Sequence, residues 1–146
     1  MKRFCMRHDG DAIGRSDATF RRVSGLIRSY KDLDVWQRSV ELFVRVTGLV
    51  RTLPTADRFV FETQTRKAAR SVAANISEGH QRRHLGDYLR LLSYSRGSLG
   101  EVETDLVLIE RTTSAPRSDI ADCAELADEV GRKLSRLRNG LRSRSS

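Results

Sequence analysis

Aromatic residues are scarce in this chain: one tryptophan, three tyrosines and five phenylalanines among 146 residues. Most of them fall at helical core spacing, which leaves no row of rings for stacking unpaired bases. Proline occurs only at Pro54 and Pro116, so the long stretches between are free to be helical. The two cysteines, Cys5 and Cys123, lie far apart. They form no disulfide framework, and a reducing cytoplasm is the expected compartment. No apolar run approaches the ~18–20 residues of a membrane span, so no membrane partner is expected. The N-terminal MKRFCMRHDG is basic but has no apolar segment behind it, and no secretory signal is read there. A phosphate-binding glycine loop and a nucleophile–base pair are both missing, so no cofactor and no enzymatic activity are expected.

What the chain has is charge, 27 Lys/Arg against 19 Asp/Glu for a net +8. That excess is concentrated at the ends. Residues 1–30 carry +4, residues 131–146 carry +6, and residues 31–130 carry −2. Within the middle, residues 58–96 carry +5 and residues 97–130 carry −7. A general basic footprint for nucleic acid is therefore weaker than the total suggests. Arginine supplies 23 of the 27 cations, and its planar fork suits phosphate.

Periodicity predicts four helices. Residues 1–29 hold no period and read as a flexible basic tail, partly helical near Phe20–Ile27. Helix one spans about Leu33–Leu53 with Asp32 as N-cap. Its stripes, Leu33, Trp36, Val40, Phe43, Thr47 and Val50, then Val35, Leu42, Val46, Leu49 and Leu53, cover about 200° of the surface. That is more than one core face requires, which points to a deeper core position or a subunit interface. Helix two spans about Asp57–Glu78, stopped by Gly79. Phe61, Thr65, Ala68, Val72 and Ile76 face its core, beside a polar strip of Gln64, Ser71, Asn75 and Glu78. Helix three spans about Leu85–Thr112. Leu85, Tyr88, Leu92, Ser95, Leu99, Val102, Leu106 and Ile109 keep a strict 3-4 spacing, which favours left-handed bundle packing. Gly97 and Gly100 each cost about 1 kcal/mol there, so close backbone contact or a local weakness is expected at them. Helix four, capped by Ser118 or Asp119, carries Ile120, Cys123, Ala127, Val130, Leu134, Leu137 and Leu141. RNGLRSRSS then frays into a basic tail. The expected fold is all-α, an antiparallel up-down-up-down four-helix bundle over residues 30–142, with 143–146 frayed.

Three groups of residues invite a functional reading. Arg66, Lys67, Arg70, Arg82 and Arg83, in a basic half that also holds Arg90 and Arg96, are candidates for contacting a phosphate backbone; the alternative is a solvated face, or one that meets the acidic half of another subunit. His80 and His84, flanked by Glu78 and Asp87, have a metal-like spacing. Gly79 breaks the register between them, and no metal is assigned. Asn75, Glu78 and Glu101 could do acid–base work, but suit polar groups that fix helix register better.

Three runs, SYKDLDVWQRSVELF, FETQTRKAARSVAANISEG and YLRLLSYSRGSLGEVETDL, resemble the bacterial four-helix-bundle family encoded in 23S rRNA intervening sequences, also called S23-like. The resemblance spans about Tyr30–Leu141. It rests on L-x-V-W, S-V-x-x-N-I-x-E-G and G-S-L-x-E in that order. The signature positions it marks are Trp36, Arg70, Ser71, Asn75, Ile76, Glu78, Gly79, Gly97, Ser98 and Glu101, with no catalytic role attached. Gly100 departs from the alanine-like residue usual there, and the leader has no counterpart and reads as an upstream start-site extension. The resemblance implies a homo-oligomer, most simply a pentameric ring. Through a related retroelement accessory subunit, which is more basic, it also implies an RNA or DNA partner. The competing expectation is a scaffold for a protein partner with no nucleic-acid role.

Overall fold

The computed structural model describes residues 27–144. The tail read at residues 1–29, with its weakly helical Phe20–Ile27 stretch, thus lies almost wholly outside the described residues. A single 3-10 turn, Tyr30–Asp32, leads into four helices: α1 Asp34–Thr52, α2 Thr55–His80, α3 Leu85–Thr112 and α4 Arg117–Ser143. The connections are two, four and four residues long, so each helix must fold back on the one before. α1 packs on α2, α2 on α3 and α3 on α4, and α4 closes against α1. The result is the expected antiparallel four-helix bundle, with no strand among the described residues.

Proline sets two of the boundaries. Pro54 and Pro116 hold the N-cap positions of α2 and α4. Leu53, held before a proline, is extended with ψ 149° and ends α1. Three expected caps are corrected by the fold. Asp32 caps the 3-10 turn, not α1, because its carboxylate accepts from the backbone N–H groups of Arg28 and Ser29 at 2.9 and 3.0 Å. α4 begins at Arg117, before Ser118 and Asp119. Gly79 does not stop α2, which continues through His80 to a cap at Gln81.

The reason for glycine at position 79 is space. It is buried, and a Cβ built there would lie 2.7 Å from Tyr88 Cδ2 and 3.3 Å from Leu91 Cβ. Tyr88 comes from α3 and lies flat against the bare α2 backbone, with its ring edge-on to His80 at 6.1 Å. Burial pushes the Tyr88 hydroxyl well above the ordinary tyrosine range. No partner satisfies that hydroxyl within the described residues.

The 3-4 spacing on α3 and α4 is core as predicted, with Leu85 and Leu137 at its edge. Ser95 is buried in the same stripe, where its hydroxyl donates to Val72 O at 2.8 Å and ties α3 to α2. Cys123 is buried in the core as a free thiol, and burial pushes it up to about 11. Such a group packs rather than reacts. On α1 only one stripe is core throughout: Val35, Leu42, Val46, Leu49 and Leu53. The other divides. Leu33 and Val50 are buried, Trp36 and Phe43 sit at the margin, and Val40 reaches solvent. Val44 is 57% exposed beside it, and on α2 Phe59 and Val60 are 88% and 60% exposed. The surplus apolar face of α1 thus ends at the surface, not deeper in the core.

α1 and α4 are clamped by a fork. Arg38 Nε and Nη2 donate to Glu129 Oε1 and Oε2 at 2.9 and 2.8 Å. Lys133 joins this pair to Asp34 on α1. The Arg38 hydrogen bonds hold Glu129 below the usual carboxylate range. A carboxylate depressed in the folded state contributes stability above its unfolded pKa of about 4.3, and loses it as pH falls through the lower folded value. Each side chain is about a third exposed, which limits the expected cost of Glu129→Gln to about 1 kcal/mol at neutral pH. Urea midpoints of the variant and the parent protein should converge in acid. A gap that stays constant across that range would contradict the assignment.

Candidate nucleic-acid interface

The cations expected on α2 do not act as one group. Arg66 turns toward α1. Its Nε donates to Thr47 Oγ1 at 3.3 Å, its Nη1 lies 3.6 Å from Glu62, and its guanidinium sits 5.7 Å from the Phe43 ring centroid. That is a seam contact, since Arg51 and Arg58 converge on the same Glu62. Lys67 and Arg70 are exposed on α2, and no residue among those described pairs with either. Arg82 is paired to Glu78, while Arg83 is exposed in the corner that follows and pairs with none of the described residues. The sequence-predicted set thus yields three free cations, Lys67, Arg70 and Arg83, and two engaged ones.

The signature residues also divide. Ser71, Asn75 and Ser98 converge where α2 meets α3. Ser98 Oγ and Asn75 Nδ2 both lie on Ser71 Oγ, at 2.8 and 3.0 Å, and Asn75 Nδ2 also donates to Ser71 O at 2.9 Å. Small side chains let the two helices approach, the Ser98–Ser71 hydroxyl bond ties α3 to α2, and the Asn75 amide braces Ser71 from the same helix. Trp36 packs edge-on to Tyr30 at 5.3 Å and pins the 3-10 turn to the core margin. Glu78 and Glu101 are exposed. Gly97 is not a point of close contact either, since a Cβ at Gly97 or at Gly100 meets nothing within 4 Å. Nothing among the described residues explains these two glycines.

His80 closes α2 and His84 caps α3, with a turn between them. No group of three or more His, Cys, Asp or Glu side chains among the described residues is placed to hold a metal. None of their helices is long and apolar enough to cross a membrane.

One cationic surface escaped the sequence reading. The segment RNGLRS, read as the start of a frayed tail, is the last part of α4, which remains helical to Ser143. Packing of α4 against α3 lays Arg132, Arg136 and Arg138 along α3, where Arg138 Nη2 donates to Ser93 Oγ at 3.2 Å. Arg96 stands across the seam, paired to Glu103 at 3.2 Å. The signal was present as six cations and no acid in residues 131–146, but only the antiparallel fold brings residue 96 beside residue 132.

Fold and signature together define an antiparallel helical bundle whose polar signature lies along the α2–α3 seam and whose margins are rich in arginine. The 23S rRNA-intervening sequence protein family model matches residues 31–136, and the chain belongs to that family. It is similar to a protein of unknown function from the S23 ribosomal protein family of Bacteroides thetaiotaomicron, known from a 1.70 Å crystal structure. The two are 25% identical with a TM-score of 0.67, over 72% of this chain and 95% of the other. No relative is found among curated proteins.

Proposed function

We propose that this chain is a non-enzymatic cytoplasmic scaffold that assembles with copies of itself, as a pentamer in the simplest form, and holds RNA or DNA through arginine-rich surfaces. The observation that carries the nucleic-acid reading is the set of exposed cations without an acid partner: Lys67 and Arg70 on α2 and Arg83 at the corner. By contrast, Arg38, Arg45, Arg90, Arg96, Arg117 and Lys133 are each taken up by an acid of this chain. A surface arginine left without a counter-charge is available to phosphate oxygens, and each contact releases a condensed counterion. Self-assembly is supported by the apolar side chains that the fold leaves outside, Val40 and Val44 on α1 and Phe59 and Val60 on α2. Those same side chains favour the second reading, a scaffold for a different protein.

The test is fluorescence anisotropy of the full chain with labelled RNA and labelled DNA across a salt series, with mass from light scattering on the same samples. Binding should weaken by roughly tenfold or more between 50 and 200 mM salt, from a handful of phosphate contacts. An intact oligomer that binds neither polymer at low salt would turn the reading to protein partners.

A further inference from the structure

The fold sorts charge along the bundle. From Gly131 to Arg144, α4 and its C-cap together carry six Lys/Arg and no acid, while residues 97–130 hold nine acids. The basic stretch borders an open groove between α3 and α4 of about 600 Å³, lined by Arg96, Glu103, Asp128, Arg132, Ser135 and Arg136, with Gly131 in its floor. Arg132 and Arg136 are exposed, lie about 6 Å apart along α4, and pair with none of the described residues. Arg138 dips into the same seam. Its Nη2 is held by Ser93, and its Nε is buried without a partner. On α3, Ser93, Gly97 and Gly100 follow at helical spacing, and neither glycine meets anything where a Cβ would be. The seam therefore has a cationic rim, and the glycines beside it leave its α3 flank bare.

We infer that this groove is where the phosphate backbone of a nucleic-acid duplex crosses the protein, with Arg132 and Arg136 as its principal contacts. The inference rests on the nucleic-acid reading above and gives it a location. Three features select the occupant. The lining contains no large apolar side chain, whereas the core of a subunit interface needs one. The exposed apolar residues Val40, Val44, Phe59 and Val60 lie on other helices, and Tyr94, Val107 and Leu108, exposed on α3, are not part of the groove lining. No aromatic ring lines the groove, so bases of a single strand would find nothing to stack on, while a duplex keeps its base faces stacked inside and carries its phosphates on the outside. Finally, guanidinium forks match phosphate oxygens in pairs. The acids Glu103 and Asp128 mark the far end. Glu103 is occupied by Arg96, and Asp128 turns a polyanion away from the acidic half, so the path runs from Arg132 toward the C-terminal end of α4.

The test compares two double variants of the full chain that lose the same charge, Arg132→Gln with Arg136→Gln, and Lys67→Gln with Arg70→Gln. Anisotropy with labelled duplex RNA and duplex DNA across a salt series reads both, and light scattering reports mass. The groove pair should weaken binding on the order of tenfold near 0.1 M salt. It should also reduce the slope of log affinity against log salt by about 1.8 on B-DNA, at about 0.9 per phosphate contact. The α2 pair should change both less. Equal losses from the two pairs would mean diffuse attraction and overturn the assignment. So would an unchanged groove variant, with the nucleic-acid reading left standing. A groove variant whose mass falls would make this seam a contact between copies. Parent protein that binds neither duplex would remove the nucleic-acid reading itself, and the groove's role with it.

Discussion

Gly79→Val will destabilise the bundle by about 2–3 kcal/mol, the cost of forcing volume into a packed core. At this position the ordinary advantage of replacing a helical glycine, up to about 1 kcal/mol, is reversed. The added carbons would enter the Tyr88 ring, 2.7 Å from the first of them, with the Leu91 Cβ 3.3 Å away. Tyr88 is itself buried and wedged against His80, so the ring has nowhere to swing without separating α2 from α3. Gly97→Ala is the matched control, because its Cβ meets open space; stability should hold or rise by up to about 1 kcal/mol. Urea unfolding followed by circular dichroism measures both. A Gly79→Val protein as stable as its parent would show that the Tyr88 contact does not exist.

Leu99→Ala should cost more, about 3–5 kcal/mol, the range for a fully buried leucine that leaves a cavity. Leu99 is 0% exposed at the centre of the α3 stripe. Its Cδ2 reaches to 3.5 Å from where a Gly131 Cβ would stand, so this side chain fills the space between α3 and α4. The loss is a large part of the roughly 5–15 kcal/mol that holds a domain of this size together. Because α3 and α4 form the walls of the arginine groove, nucleic-acid affinity should fall along with stability. A variant with an unaltered urea midpoint would mean that the α3 stripe faces elsewhere.

Much of this architecture can be read from spacing alone. The 3-4 repeat from Leu85 to Ile109 keeps its register over the whole helix, and the core side chains follow it. Two prolines placed the breaks, since a chain cannot be helical into them without strain. Local spacing fails where meaning depends on what lies across a seam. Gly79 resembles a helix stop, and only the position of Tyr88, nine residues later, reveals that it is a packing site. Gly97 and Gly100 suggested close packing, yet they border open space. Arg66 has the chemistry of a phosphate contact but is engaged by Glu62 and Thr47. Only the cations from Arg138 onward were read as a tail, because arginine, serine and glycine dilute the apolar pattern there, although the stripe reaches Leu141, which is buried. Electrostatic sites in bundles form between helices distant in sequence, so charge counts by segment detect the polarity but not the site.

The most direct test of the account compares nucleic-acid binding by the full chain with binding by residues 27–146, across the same salt series. If the shorter protein retains the greater part of the affinity and a steep salt dependence, the bundle surface itself contacts phosphate, as the exposed arginines of α2 and α4 predict. If binding disappears with the first 26 residues, attraction resides in the N-terminal segment, and the helical surface would not be the nucleic-acid interface proposed for it.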